Sequence, residues 1–301
     1  MDRLITLGTR GSPLALVQAR NVAGALESAQ GWAAGTVIIR PIRTSGDKIQ
    51  DRPLAEVGGK ALWTKELDLA LLSGESDLSV HSMKDVEGDR PDTLVIAAMM
   101  ERADVRDRII GARSIEALPE GGTVGTSSPR RAAQLLALRP DLHIEPIRGN
   151  VQTRLDKIAR GEADATMLAA AGLDRLGIEE GAPVPIEDML PAPGQAAIGI
   201  ECRAADDEVR EFLAAIDHRT TRRAVEIERA FSHALGGNCH SPVAAFAEIM
   251  SDGVRLRVEI LSGDGTERIA EERIVADATE AAALGRELLS RASAATRALF
   301  E

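Results

Sequence analysis

The sequence predicts an α/β fold of two similar lobes followed by a smaller α+β C-terminal domain. Short apolar strands alternate with periodic helices through about residue 201, the pattern of largely parallel sheets. One strand–turn–cap–Pro–helix sentence is written twice, at Gly8-Thr9-Arg10-Gly11-Ser12-Pro13 and at Gly125-Thr126-Ser127-Ser128-Pro129. The two read as matching turns of two related lobes. From Arg219 the pattern changes to one helix, three strands and a final helix.

In chain order, Leu4 to Thr9 reads as a buried strand leading into a helix from Leu14 to about Ala29. Thr36 to Ile42 is the next strand. Thr44 to Lys60 mixes Gly, Asp, Pro and Lys with little periodicity, as functional or mobile loops do. A helix over Thr64 to Leu72 and a strand over Asp77 to Val80 lead to His81-Ser82-Met83-Lys84-Asp85, and Leu94 to Met99 is a further strand. The charged stretch Glu101 to Arg108 marks the crossing into the second lobe, whose strands lie near Thr123, Ile144 and Ala165. Ala182 to Pro193 is proline-rich and reads as a linker, and Gln195 to Glu201 as a strand able to return to the first sheet. A helix from Arg219 to about Leu235 stops at Gly236-Gly237, before the Cys239 loop. Strands near Val243, Val254 and Ile269 and a helix from Thr279 complete the chain. The expected domains are 1–100 with 195–217, 101–194, and 218–301.

The 301 residues suffice for two or three domains with a sizeable core. With 44% hydrophobic and 28% charged residues the composition is that of a soluble globular protein. No apolar run has membrane-spanning length and the N-terminus lacks a signal-peptide layout, so no membrane partner is expected. Cys202 and Cys239 are too few for a disulfide framework, which points to the cytoplasm, and Cys and His show no metal-ligand spacing. A net charge of −11 and a pI of about 5.1 argue against nucleic-acid binding, which needs a broad basic face. Lysine occurs only at 48, 60, 65, 84 and 157, so arginine placement carries the information about anions.

That placement is concentrated between Gly122 and Arg154. Ser128 is a natural N-cap with Pro129 as first helical residue, and Asn150 can cap a second helix. Capped helix starts expose N–H groups and the positive end of the helix dipole. Arg130, Arg131, Arg148 and Arg154 add planar forks that grip carboxylate or phosphate with paired bonds. The stretch reads either as two ordinary capped helices with solvated arginines or as a site for a ligand of several negative charges. Arg10, Lys84, Asp85 and Thr126 also fall at the carboxyl ends of strands, where ligands of such folds bind. Lys84-Asp85 alone reads as a solvated structural pair or as working chemistry. Cys239, in Leu235-Gly236-Gly237-Asn238-Cys239-His240-Ser241-Pro242, has the polar, flexible setting of a reactive or modified thiol, whereas Cys202 has an apolar strand around it. His81 reads as packed, and Trp63 as a loop or core anchor.

Taken in order, Thr9-Arg10-Gly11-Ser12-Pro13-Leu14-Ala15-Leu16, Val57-Gly58-Gly59-Lys60, His81-Ser82-Met83-Lys84-Asp85-Val86, Gly125-Thr126-Ser127-Ser128, Arg148-Gly149-Asn150 with Thr153-Arg154, Ala171-Gly172-Leu173-Asp174-Arg175-Leu176, Gly194-Gln195 and the Cys239 loop form a specific set. The sequence closely resembles the porphobilinogen deaminase (hydroxymethylbilane synthase) family over nearly its whole length. The resemblance implies two lobes like those of periplasmic binding proteins and a C-terminal domain with a dipyrromethane cofactor in thioether linkage to Cys239. It implies a transferase of tetrapyrrole biosynthesis that condenses four porphobilinogen molecules head to tail on that cofactor, releasing ammonia and then hydroxymethylbilane; separately from the resemblance, a monomer is expected. By position, Asp85 matches the catalytic carboxylate. Lys84, Asp85, Ser128, Arg130 and Arg131 match the cofactor binders. Arg10, Ser12, Thr126, Arg148, Asn150, Arg154, Arg175 and Gln195 match binders of substrate and of the growing chain. Lys60 and Trp63 belong to the family's active-site loop.

Three positions depart from the family's pattern: Glu56 where lysine is common, Trp63 where phenylalanine is commoner, and Pro129 where some relatives have leucine. The rival reading is a carboxylate-binding module. It accounts for the arginines but leaves Lys84-Asp85 and the cysteine loop without a role.

Overall fold

The computed structural model describes residues 4–44, 64–236 and 241–300; Glu56, Lys60, Trp63 and Cys239 lie outside them. The chain divides into two compact units, Met1–Ala103 with Ala197–Arg222, and Asp104–Ala196 with Arg223–Glu301.

In the first unit, β1 (Ile5–Arg10) leads into α1 (Pro13–Gln30), which Ser12 caps at its start and Gly31, at φ 64°, closes at its end. β2 (Val37–Ile42), α2 (Lys65–Leu72), β3 (Leu78–Ser82), a 3-10 turn (Met83–Asp85) and β4 (Leu94–Met99) follow. The chain then enters the second unit. β5 (Asp107–Ile110) and β6 (Thr123–Gly125) precede α3 (Pro129–Leu138) and β7 (His143–Glu145). α4 (Val151–Ala159), β8 (Ala165–Ala169), α5 (Ala170–Arg175) and β9 (Ala182–Pro183) complete this lobe. The return strand β10 (Ile198–Arg203) and α6 (Asp207–Ala214) belong to the first unit again. α7 (Arg219–Ala234), β11 (Val243–Ile249), β12 (Val254–Leu261), β13 (Arg268–Val275) and α8 (Ala278–Arg291) form the C-terminal region.

The two five-stranded sheets repeat one topology. The first has the order β2-β1-β3-β10-β4 and the second β7-β6-β8-β5-β9. In each, three parallel strands are followed by an antiparallel fourth, β10 or β5, and a fifth antiparallel to that. The architecture is two similar α/β lobes plus a C-terminal domain of a three-stranded antiparallel meander, β11-β12-β13, covered by helices.

Burial follows the side-chain periods. β3 and β10, covered on both faces, are almost wholly buried, whereas β13 alternates buried or half-buried with exposed residues. The first core joins Leu7, Val22, Leu26, Val80 and Ile200, and Trp32 meets Phe212 edge-on with ring centroids 5.1 Å apart. The second core joins Ile109, Val124, Leu135 and Met167, and the C-terminal core surrounds Phe231 and Leu256.

One segment differs from expectation. Residues 182–193 are not a linker: Ala182–Pro183 pairs with β5, and Val184 and Met189 are buried in the second core. The charged stretch 101–108 spans the crossing between the units, as expected, and its end opens β5, an interior strand of its sheet. There Asp107 pairs with Arg130 and Arg131, and Arg108 with Asp174, so charged residues occupy a place where an apolar strand would be expected. Among the described residues no helix is long and apolar enough to cross a membrane.

Candidate active site

In the first unit, β1 and β3 are parallel neighbours, so their carboxyl ends open on the same edge of the sheet. Arg10 closes β1. Ser12 follows, its Oγ accepting from the Ala15 N–H at 3.3 Å. The start of α1 is tied to the end of β3, where Gln18 Nε2 donates to Ser82 Oγ at 3.1 Å. Lys84 and Asp85, both half-buried, stand on the 3-10 turn that continues β3. Met83 anchors that turn: its side chain is buried and its N–H donates to Ala197 O at 3.0 Å. Gly199 on β10 makes the space, since a Cβ there would lie 2.2 Å from Met83 Sδ.

A buried ionic network lies beneath this turn. His81 Nε2 is 3.0 Å from Glu201 Oε2, and Arg90 grips the same carboxylate through Nε at 2.9 Å and Nη2 at 2.7 Å. Arg90 also donates to Asp68 at 2.5 Å and to Thr64 at 3.1 Å, which binds the stretch after Asp85 to the start of α2. Burial would raise the Glu201 carboxyl, but His81 and Arg90 more than reverse this and hold it below its ordinary range. His81 is therefore a packed residue within an ion network.

The second unit repeats the arrangement. β6 lies between β7 and β8, all parallel, and its end carries Thr126, Ser127 and Ser128. Ser128 Oγ caps α3 through the Arg131 N–H, its own N–H donates to Thr126 Oγ1 at 3.2 Å, and Ser127 Oγ donates to Ile147 O at 2.8 Å. After β7, Asn150 caps α4 by accepting from Thr153 N–H at 2.9 Å. Gly149, at φ 114°, is required there, because a Cβ would lie 2.6 Å from the Thr153 side chain. Arg148 and Arg154 are half-buried at this end, Arg154 Nε donating to Gly149 O at 3.1 Å. After β8, Arg175 donates to Ala196 O at 2.7 Å. Burial lowers its pKa, opposed by Asp174 nearby.

The structure thus gathers Arg10, Ser12, Lys84 and Asp85 at one sheet edge of the first unit. It gathers Thr126, Ser128, Arg148, Asn150, Arg154 and Arg175 at the equivalent edge of the second. Arg130, Arg131 and Gln195 form a buried cluster around a residue that sequence reasoning missed, Asp107. Arg130 Nη2 donates to Asp107 Oδ2 at 2.7 Å, and Arg131 reaches Oδ1 through Nη2 at 2.7 Å and Oδ2 through Nε at 3.2 Å. Gln195 Nε2 adds a fourth donor at 2.9 Å. Burial would raise the Asp107 carboxyl; Arg131 and Arg130 more than offset it and hold it far below the usual carboxylate range. Two guanidinium groups against one carboxylate leave a positive balance. The Nε–H of Arg130 is buried with no acceptor among the described residues. That orphaned donor and the desolvated Arg175 suit a ligand bearing several carboxylates, as a dipyrromethane does.

Residues 5–211 match the family described as "Porphobilinogen deaminase, dipyromethane cofactor binding domain", and residues 222–294 match "Porphobilinogen deaminase, C-terminal domain". The chain belongs to the porphobilinogen deaminase family. It is 55% identical to the porphobilinogen deaminase of Sphingopyxis alaskensis, covering 99% of this chain and 97% of that protein. It is 50% identical to that of Paracoccus denitrificans, covering 94% and 92%. Membership accounts for the twinned sheet edges and for a domain that binds dipyrromethane.

Cys202 lies on β10 with its side chain in the first core, where burial pushes its thiol up to about 11. Sequence could have pointed to Asp107 only as an acid opening an apolar strand, Asp107-Arg108-Ile109-Ile110, which implies a buried partner.

Proposed function

We propose that the chain is a transferase that deaminates porphobilinogen and joins four molecules of it head to tail, releasing hydroxymethylbilane and ammonia, with dipyrromethane held in thioether linkage to Cys239. The observation that carries the reading is Asp85 and Lys84 on the turn closing β3, beside Arg10 and Ser12 at the end of the neighbouring parallel strand. When bound, dipyrromethane supplies the terminal pyrrole carbon to which the first substrate is joined. Ser128, Arg130, Arg131 and Lys84 would hold its carboxylates.

Each condensation breaks the substrate's C–N bond with departure of ammonia, forms a C–C bond, and ends with loss of the α-proton from the attacking pyrrole. Positive charge develops on the pyrroles at both stages. The Asp85 carboxylate stabilises that charge and accepts or relays the proton. Arg10, Arg148, Arg154 and Arg175 balance the carboxylates of the lengthening chain, each charge-assisted bond contributing about 1.5–3 kcal/mol. Ser12 and Asn150 cap helix starts whose positive ends add to that balance, and Thr126 shapes the β6 turn by accepting from the Ser128 N–H.

The test is single-turnover ammonia release from porphobilinogen by cofactor-loaded chain. Asp85→Asn keeps the shape without the charge, and is expected to lose about 10²–10⁴-fold if proton transfer alone is at stake. Asp85→Glu keeps the charge and is expected to retain more. Ammonia release by Asp85→Asn at near the parent rate would sink the assignment.

A further inference from the structure

The second unit contains a polar chain that the proposed chemistry does not use. It runs from the C-terminal sheet to Arg130. Glu259 on β12 is fully buried, and its Oε2 accepts from Gln134 Nε2 at 2.6 Å. Its other oxygen accepts from Arg268 Nε. Gln134, on α3 four residues after Arg130, presents Oε1 to Arg130 Nη1 at 2.8 Å. Gln134 Nε2 and Arg130 Nη1 also share Leu190 O as acceptor, at 3.1 and 2.7 Å. Gln134 and Arg130 are themselves 2% and 3% exposed.

A buried glutamine has two ends, a donor NH2 and an acceptor oxygen, and nothing in its shape decides which faces Arg130. If the NH2 faced the guanidinium, donor would meet donor in a site without water to relieve it. Two acceptors decide the matter, Leu190 O at 3.1 Å and, at 2.6 Å and charged, Glu259. A carboxylate accepts only, so it claims the NH2 and turns the carbonyl toward Arg130. The guanidinium is then held by three acceptors, Gln134 Oε1, Leu190 O and Asp107 Oδ2, with its Nε–H left unspent.

We propose that Glu259 is a positioning residue for Arg130, acting through the orientation of the Gln134 amide, so that the C-terminal sheet sets the arginine that receives a carboxylate of the cofactor. The sheet that does this begins at Val243, shortly after Cys239 in sequence. One domain would then both attach the cofactor and orient a side chain that binds it. The inference rests on the function proposed above.

The experiment follows loading of the full chain, prepared without cofactor and given porphobilinogen, by mass gain in intact-mass spectra. The parent must gain the mass; if it does not, the proposed function fails rather than this inference. Glu259→Gln removes the charged acceptor and leaves the amide held only by the 3.1 Å bond to Leu190 O, and is expected to slow loading about tenfold, the scale of one charge-assisted bond. Gln134→Leu is expected to do the same. Combining the two should be no slower than Gln134→Leu alone, since Glu259 acts through Gln134. Exchanging the pair, Gln134→Glu with Glu259→Gln, keeps an acceptor toward Arg130 and a donor–acceptor bond between the two positions, at the loss of the 3.1 Å bond to Leu190 O. It should restore most of the rate, and it provides a readable variant if Glu259→Gln alone does not fold. A purely structural role would lower thermal stability without the rescue and with additive effects. Loading of Glu259→Gln at the parent rate, additive slowing in the double variant, or no recovery in the exchanged pair would overturn the proposal.

Discussion

Replacing Asp107 by asparagine removes one charge and almost no volume, so its effect isolates the ion cluster. Four N–H donors converge on that carboxylate: Arg130 Nη2, Arg131 Nε and Nη2, and Gln195 Nε2. An asparagine offers one oxygen and turns its own NH2 toward the guanidinium groups. The Asp107 side chain is 1% exposed and those of Arg130 and Arg131 are 4% and 8% exposed, so water relieves little of the mismatch. Breaking a buried pair by removing one partner costs about 3–5 kcal/mol. For a body of this size that is about 6–20 °C in melting temperature, at about 2–4 °C per kcal/mol. The pH dependence gives a second readout. The folded pKa of Asp107 is depressed, so its stabilisation is complete above the unfolded value near 3.9 and is lost as pH falls below it toward the folded value. Calorimetry from pH 7 to pH 3 should show a large Asp107→Asn deficit at neutral pH that narrows below about pH 4. A variant melting within about 2 °C of the parent at pH 7, or a deficit that does not change with pH, would refute the argument that this carboxylate holds the arginine pair.

Two further outcomes concern the proposed chemistry. Cys239→Ser should lose both the covalent adduct and turnover, whereas Cys202→Ser should keep both, and native Cys202 should resist alkylation at pH 8 because burial keeps its thiol protonated; peptide mapping that placed the adduct on Cys202 would reverse the assignment. Arg175→Leu removes a desolvated guanidinium whose bond among the described residues is to Ala196 O, so it should stall chain growth with loading intact, and native mass spectrometry under limited substrate should show shorter intermediates accumulating; normal elongation would count against its role.

What the sequence made legible was local. Ser12, Ser128 and Asn150 announce helix starts because a cap and its N–H partner are three residues apart. The strands ending at Arg10, Ser82 and Gly125 were readable from short apolar runs that break at Gly, Ser and Pro. What sequence could not show was pairing across distance. Asp107 meets Arg130 and Arg131 23 and 24 positions away and Gln195 88 away, so no periodicity marks it. Gln134 and Glu259 are 125 apart. The stretch 101–108 was readable as a crossing between lobes but not as the start of an interior strand, because Asp107 and Arg108 find their partners only in the folded lobe. The proline-rich 182–193 looked like a linker because its pairing, through Ala182 and Pro183, occupies two residues at a sheet edge, where proline is tolerated.

The return of β10 has a consequence for how the chain is made. In the first sheet β4 pairs with β10 and β10 with β3, so among the described strands β4 has no neighbour until Ile198–Arg203 exists. Everything between, Asp107 to Pro183, supplies the five strands of the second sheet. During synthesis, which proceeds from the N-terminus, the lobe that begins first is therefore finished last. While the ribosome completes the second lobe, β3 presents an open edge and β4 a loose apolar strand, the features that invite wrong pairing. A nascent-chain arrest series should find the second lobe protease-resistant before the first, an order of assembly opposite to the order of the lobes in the sequence.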